Sequence, residues 1–128
     1  MNLTRIFCTA SIGLTLAMTG CGGSSEEAIQ ADTAEESADA LISFFEKADP
    51  EIKKLAKTAS DAVEEGKLTL ALQSVNQLRA QGAKLTADQF MVVTEAEVNV
   101  QNAIREAAES GDKNAQTILN YQSAGRRN

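Results

Sequence analysis

The sequence predicts an all-α protein, a small antiparallel bundle or array of about five helices behind a flexible tether. Three observations predict it. From residue 33 onward the apolar residues recur at spacings of three and four, the period of a helix with one buried face, and no stretch alternates as a half-buried strand would. Two threonines, Thr33 and Thr86, each stand three residues ahead of a Glu or Gln at the head of such a stripe. Gly66, Gly82 and Gly111 fall just beyond three of the stripes, where they are expected to end the helices, Gly82 as a left-handed residue.

The first helix is expected to open at Thr33-Ala34-Glu35-Glu36, a capping box in which the threonine hydroxyl and the glutamate carboxylate each accept a bond from the other residue's free amide. Its apolar face is Ala34, Ala38, Leu41, Ile42, Phe45 and Ala48. Asp49-Pro50 ends it and starts the second helix: Asp is a favoured N-cap, and proline in the first turn gives up an N–H that has no helical partner in any case. Ile52, Leu55, Ala56, Ala59, Ala62 and Val63 form the second stripe, which Gly66 ends. The third helix carries Leu68, Ala71, Leu72, Val75 and Leu78, with Gly82 beyond it.

The fourth helix starts at Thr86, boxed with Gln89, and Leu85 is placed to pack on Phe90 as a hydrophobic staple. It runs through Phe90, Val93, Ala96, Val100, Ile104 and Ala107 to about Ser110. Asp112 caps a short fifth helix presenting Ala115, Ile118 and Leu119, and the tail 123–128 is expected to fray. Residues 33–122 suffice for one modest core, and the short connections make consecutive helices antiparallel neighbours. A few apolar residues fall off the stripes. Met91 and Val98 project away from Val93, Val100 and Ile104; Phe44 flanks the first stripe; Leu70 lies opposite its own. Two readings stand for them: a second buried side, natural for the longest of five helices, or a partner surface, since Met and Phe are common interface anchors.

Ahead of the helices, Arg5 is the only charge before residue 21; Ile6 to Met18 is largely apolar; and Ala17-Met18-Thr19-Gly20-Cys21 leads into Gly22-Gly23-Ser24-Ser25. The apolar run is interrupted by Thr9, Ser11, Gly13 and Thr15 and is shorter than the about 20 residues a spanning helix needs. These residues resemble the signal of a bacterial lipoprotein, with Met18 where that family most often carries leucine. The resemblance implies that residues 1–20 are cleaved, that Cys21 carries a diacylglycerol and commonly a palmitate-type chain on its new amino group, and that the lipid bilayer is thereby a partner. Two or more chains hold a protein on a bilayer stably where one does not. Gly22 in place of Asp resembles lipoproteins sorted to the outer membrane of a two-membrane cell, with the body facing the periplasm. Residues 21–32 then form the lipidated cysteine and its tether, too poor in large apolar side chains to fold alone.

Composition narrows the chemistry. The chain has no His and no Trp, and its 2 cysteines are Cys8, lost with the signal, and Cys21, lipidated. Imidazole-assisted catalysis, Cys or His metal sites and disulfides are thereby excluded for the mature chain, and neither enzyme activity nor a cofactor nor a metal is expected. Glu64 with Glu65, and Glu95 with Glu97, do not share a helix face and read as solvated surface charge. The 18 acids against 12 bases give a net charge of −6, and loss of Arg5 makes the mature chain one unit more negative. An acidic body disfavours nucleic acid, and Glu26, Glu27, Asp32, Glu35, Glu36 and Asp39 disfavour adsorption to anionic lipid.

Residues 55–83 resemble a single tetratricopeptide-type helical hairpin, with Leu55 and Ala59 on one helix, Gly66 at the turn, and Ala71, Val75 and Leu78 on the other; Leu68 and Ala62 stand where that motif usually has tyrosine. Two functions follow. The leading one is a lipid-anchored helical interaction module, an accessory subunit or inhibitor that docks an envelope protein through Phe44, Leu70, Met91 and Val98. The alternative is a small-ligand or peptide-binding lipoprotein using the groove that the tetratricopeptide resemblance implies, which requires a pocket among the second, third and fourth helices.

Overall fold

The computed structural model describes residues 31–125. The expected signal peptide, Cys21, the tether up to residue 30 and the last three residues of the tail lie outside the described residues. In chain order the elements are α1 (Ala34–Phe44), α2 (Pro50–Glu64), α3 (Leu68–Ala80), a 3-10 turn (Gly82–Lys84), α4 (Ala87–Glu109) and α5 (Lys113–Gly125), with no strand among the described residues. The expected all-α bundle is formed.

α1 to α4 close into a ring: α1 packs on α2, α2 on α3, α3 on α4 and α4 back on α1, while α5 lies against α4 with a lesser contact to α3. The core has two layers, and their membership fixes the alternating helix directions. One layer joins the end of α1 (Leu41, Phe45), the start of α2 (Ile52, Ala56), the end of α3 (Val75, Leu78) and the start of α4 (Val93, Ala96). The other joins the start of α1 (Ala34, Ala38), the end of α2 (Ala62, Val63), the start of α3 (Ala71, Leu72), the end of α4 (Val100, Ile104) and Ala115 of α5. Alanine at so many of these contacts lets the helix axes approach closely.

The helix ends follow from local chemistry, with three departures from expectation. Gly66 (φ 67°) and Gly111 (φ 96°) each close a Schellman motif. Lys67 donates to the Ala62 carbonyl at 2.8 Å and Gly66 to Val63 at 3.0 Å; Asp112 donates to Ala107 at 2.9 Å and Gly111 to Ala108 at 3.1 Å. Gly82, expected to be left-handed, is not among the positive-φ glycines; it begins the 3-10 turn, and α3 closes by tightening. At the start of α1, Thr33 Oγ1 accepts from Glu36 N–H at 3.2 Å, but the Glu36 carboxylate accepts from Asp32 N–H at 2.8 Å instead of from Thr33, so the box is one residue out of register. Asp49 occupies the N-cap of α2 with no side-chain capping bond, leaving Pro50 to set the entry.

The Thr86–Gln89 box forms in full, with both reciprocal bonds, at 3.1 and 3.2 Å. Gln89 Nε2 also donates to the Phe44 carbonyl at 3.1 Å, which joins the start of α4 to the end of α1 and requires an amide, since a Glu has no donor to offer. Asp112 Oδ1 accepts from Asn114 and Ala115 N–H at 2.8 and 3.0 Å, as an N-cap should, and α5 continues past residue 122 to Gly125.

Two residues placed on core stripes by the sequence are surface residues: Ile42 is 45% and Phe90 41% exposed. Phe90, expected to be stapled by Leu85, has its ring over Gly82, and Leu85 packs on the first core layer. Ala40 and Val92 are buried in their stead. The cause is tertiary. Closure of the ring puts α4 between α1 and α3, so it is buried along Val92, Ala96 and Asn99 as well as along Val93, Val100 and Ile104.

Candidate functional site

α4 is the helix on which the candidate surfaces converge, because it touches α1, α3 and α5. On its α1 side it holds the incoming chain. Asn99, 8% exposed, donates through Nδ2 to the Ala31 carbonyl at 2.6 Å and to Ser37 Oγ at 2.9 Å, with a longer contact to the Thr33 carbonyl at 3.4 Å. Four residues earlier, Glu95 Oε1 accepts from Ala31 N–H at 3.2 Å. Both backbone groups of Ala31 are therefore fixed by side chains one helical turn apart. Ala31, within the stretch 21–32 expected as the tether, is buried.

This clasp corrects the reading of Glu95 and Glu97 as solvated charge. Glu95 is half-buried and serves as an acceptor for the backbone, and Glu97 is half-buried and paired with Arg79 across the α3–α4 seam. Glu64 and Glu65 are exposed, as expected, with Glu65 paired to Lys67 at 2.6 Å.

On its outer side α4 presents Met91, 59% exposed, and Val98, 54% exposed. Val98 sits in a shallow groove of about 250 Å³ between Arg79 on one side and Thr94, Gln101 and Arg105 on the other. Phe44 does not join this surface. It is half-buried against the first core layer, because the ring brings α4 down onto the end of α1. Leu70 is exposed but lies at the other end of the bundle, in a cleft of about 360 Å³ formed with Leu68, Asp112, Asn114 and Ile118. The structure thus pairs Met91 with Val98 and separates both from Phe44 and Leu70. Substituting Met91 by Glu is expected to leave thermal stability within about 0.5 kcal/mol of the parent, as for other exposed positions; a melting curve of the two proteins checks it.

A cleft of about 490 Å³ runs between α1 and α2 over Leu41, Phe45 and Ala56. Ile42 stands at its lip, and Lys53, Lys57, Asp61 and Glu64 form its charged edge. The hydrogen bond that Lys57 donates to Asp61, 2.7 Å long, and the attraction of that carboxylate raise the Lys57 ammonium above its ordinary value. Neither Ile42 nor this cleft was legible in the sequence, since Ile42 follows the helical period of the core face and leaves it only through the geometry of ring closure.

On α2, α3 and α4, the helices of the expected tetratricopeptide-like groove, Ala59, Val75, Leu78, Val93 and Ala96 are all fully buried in the first core layer. Among the described residues no three His, Cys, Asp or Glu side chains are grouped to hold a metal, and no helix is long and apolar enough to cross a membrane. Comparison with protein-family models, with curated proteins and with solved structures gave no match.

Proposed function

We propose that this protein is a bacterial envelope lipoprotein, anchored by acyl chains on Cys21, whose helical body docks a protein partner through the outer face of α4. The anchor is supported by the sequence Ala17-Met18-Thr19-Gly20-Cys21 and the apolar run before it. Gly22 supports the outer membrane as its destination in a two-membrane cell, with the body on the periplasmic side.

The observation that carries the docking role is the pairing of Met91 and Val98, each more than half exposed on one helix face, with Arg79 and Arg105 lining the groove around Val98. Met and Arg are enriched at protein interfaces, and an aliphatic centre with an arginine rim is a composition that hot spots favour. The role is that of an accessory subunit or inhibitor rather than of a catalyst: a chain without histidine offers no imidazole for acid–base or nucleophile chemistry.

In-cell photo-crosslinking from a reactive residue at Met91, with fully buried Val75 as the control, tests the docking role. A discrete adduct with another envelope protein at Met91, and none at Val75, is expected; no adduct, or only adducts with a second copy, would overturn the role as written. Cys21→Ala tests the anchor separately: the protein is expected to leave the membrane fraction entirely, because a single myristoyl-length chain already binds only marginally and none would remain.

A further inference from the structure

We propose that the α1–α2 face is a docking surface for a second copy of this chain, seated about a two-fold axis that sets the two α2 helices side by side and antiparallel. The charges of α2 are sorted along its length. Its bases, Lys53, Lys54 and Lys57, fall in the first half of the helix, and the acids Asp61 and Glu64 in its last turn. Glu51 is the one acid out of order, and by helical period it lies on the far side of α2 from Lys53. α1 extends the acidic end, because its start packs beside the end of α2 and carries Glu35, Glu36 and Asp39. Glu46, Asp49 and Glu51 dilute the other end without reversing it, since Lys47 stands there with the three lysines of α2.

This order is the reverse of what a helix on its own prefers. The macrodipole favours acids at the start and bases at the end, and in an i, i+4 pair the acid-first order is the stronger. α2 has no base in its last turn, and its pair of Lys57 with Asp61, at 2.7 Å, runs base first. An antiparallel neighbour rewards what the single helix does not, because the acidic end of each α2 then meets the basic end of the other. In a two-fold interface every contact occurs twice. An axis at the level of Ala59 sets Lys57 opposite Asp61 and Lys53 opposite Glu64, in both directions. Lys53 and Glu64 both line the α1–α2 cleft, so they share one flank of the helix.

Between these charges the face is apolar. Leu41, Phe45 and Ala56 floor the cleft, and Ile42 stands 45% exposed at its lip. Two such clefts brought face to face withdraw both Ile42 side chains from water and leave the lysines and carboxylates as a polar rim. The surface is separate from the one around Met91: the α1–α2 seam lies across the ring from the α3–α4 seam that Val98 faces, so pairing leaves that side uncovered.

Reciprocal charge reversal on the full chain tests the pairing. Two differently tagged forms are expressed together in cells, one of them with a photoreactive residue at Ile42, and irradiation is expected to give an adduct that carries both tags. Lys57→Glu in both forms, or Asp61→Lys in both, is expected to lower that adduct about tenfold, since like charges set opposite each other suppress a pairing. Lys57→Glu in one form with Asp61→Lys in the other is expected to restore it, because each altered charge then meets its opposite across the axis. A variant that merely failed to fold would not be rescued in this way. No two-tag adduct, an adduct only with a different protein, or a two-tag adduct indifferent to the reversals overturns the proposal. A mixed pair no better than either variant alone overturns it as well.

Discussion

Phe45→Ala is expected to lower the stability of the body by about 4 kcal/mol, in the range seen when a buried aromatic is truncated and its cavity only partly collapses. Phe45 is 1% exposed and is the largest of the fully buried side chains. It lies in the first core layer, where the end of α1, the start of α2, the end of α3 and the start of α4 meet, so the lost contacts belong to all four helices at once. Domains of this size hold about 5–15 kcal/mol in total, and the loss corresponds to a fall in melting temperature of roughly 20 °C. Phe44→Ala is the matched control. That side chain only flanks the same layer, so a smaller loss is expected. Calorimetry of the three proteins checks the order, and equal losses would mean that the two rings share the burial.

Asn99→Ala is expected to cost about 2–3 kcal/mol, the penalty for leaving buried partners without their hydrogen bond. The amide of Asn99 is the common donor to the Ala31 carbonyl and the Ser37 hydroxyl, and the site is closed enough that water replaces it poorly. The change also frees Ala31, so amide exchange at Ala31 N–H, held by Glu95, is expected to accelerate well beyond the change in global stability. Asn99→Asp separates donor from shape: it keeps the size and replaces the donor with a carboxylate facing a carbonyl, and is expected to be at least as damaging. Glu95→Gln retains an acceptor oxygen for Ala31 and is expected to be nearly silent. Urea denaturation and hydrogen exchange on the four proteins check the series; an Asn99→Ala protein indistinguishable from the parent would mean that the clasp contributes nothing.

The α4 surface shows how much of the candidate site the residues could foretell. Met91 and Val98 were legible, because two apolar residues seven apart on a strongly periodic helix must share a face, and that face was opposite Val93 and Val100. Phe44 and Leu70 were legible as off-stripe residues but not as to what covers them. Phe44 is covered because α4 returns to α1, and Leu70 is distant because α3 runs the other way from α4, and both facts belong to the assembled ring. Asn99 and Glu95 were missed outright. A polar residue in a helical pattern is ordinarily assigned to solvent, and the only available signal was that Asn99 keeps the helical register of Val92 and Ala96.

By itself the sequence determined the things that depend on a few consecutive residues: helical period, the Thr86–Gln89 and Asp112 caps, and the helix ends at Gly66 and Gly111. These are local, since a cap or a stripe is satisfied within one or two turns. Only the tertiary structure decided that α4 packs against α1, and with it the burial of Val92 and Asn99, the exposure of Ile42 and Phe90, and the clasp on Ala31. A helix offers more than one face to its neighbours, and which faces are covered depends on how many helices close around it, a property that no stretch of chain carries alone.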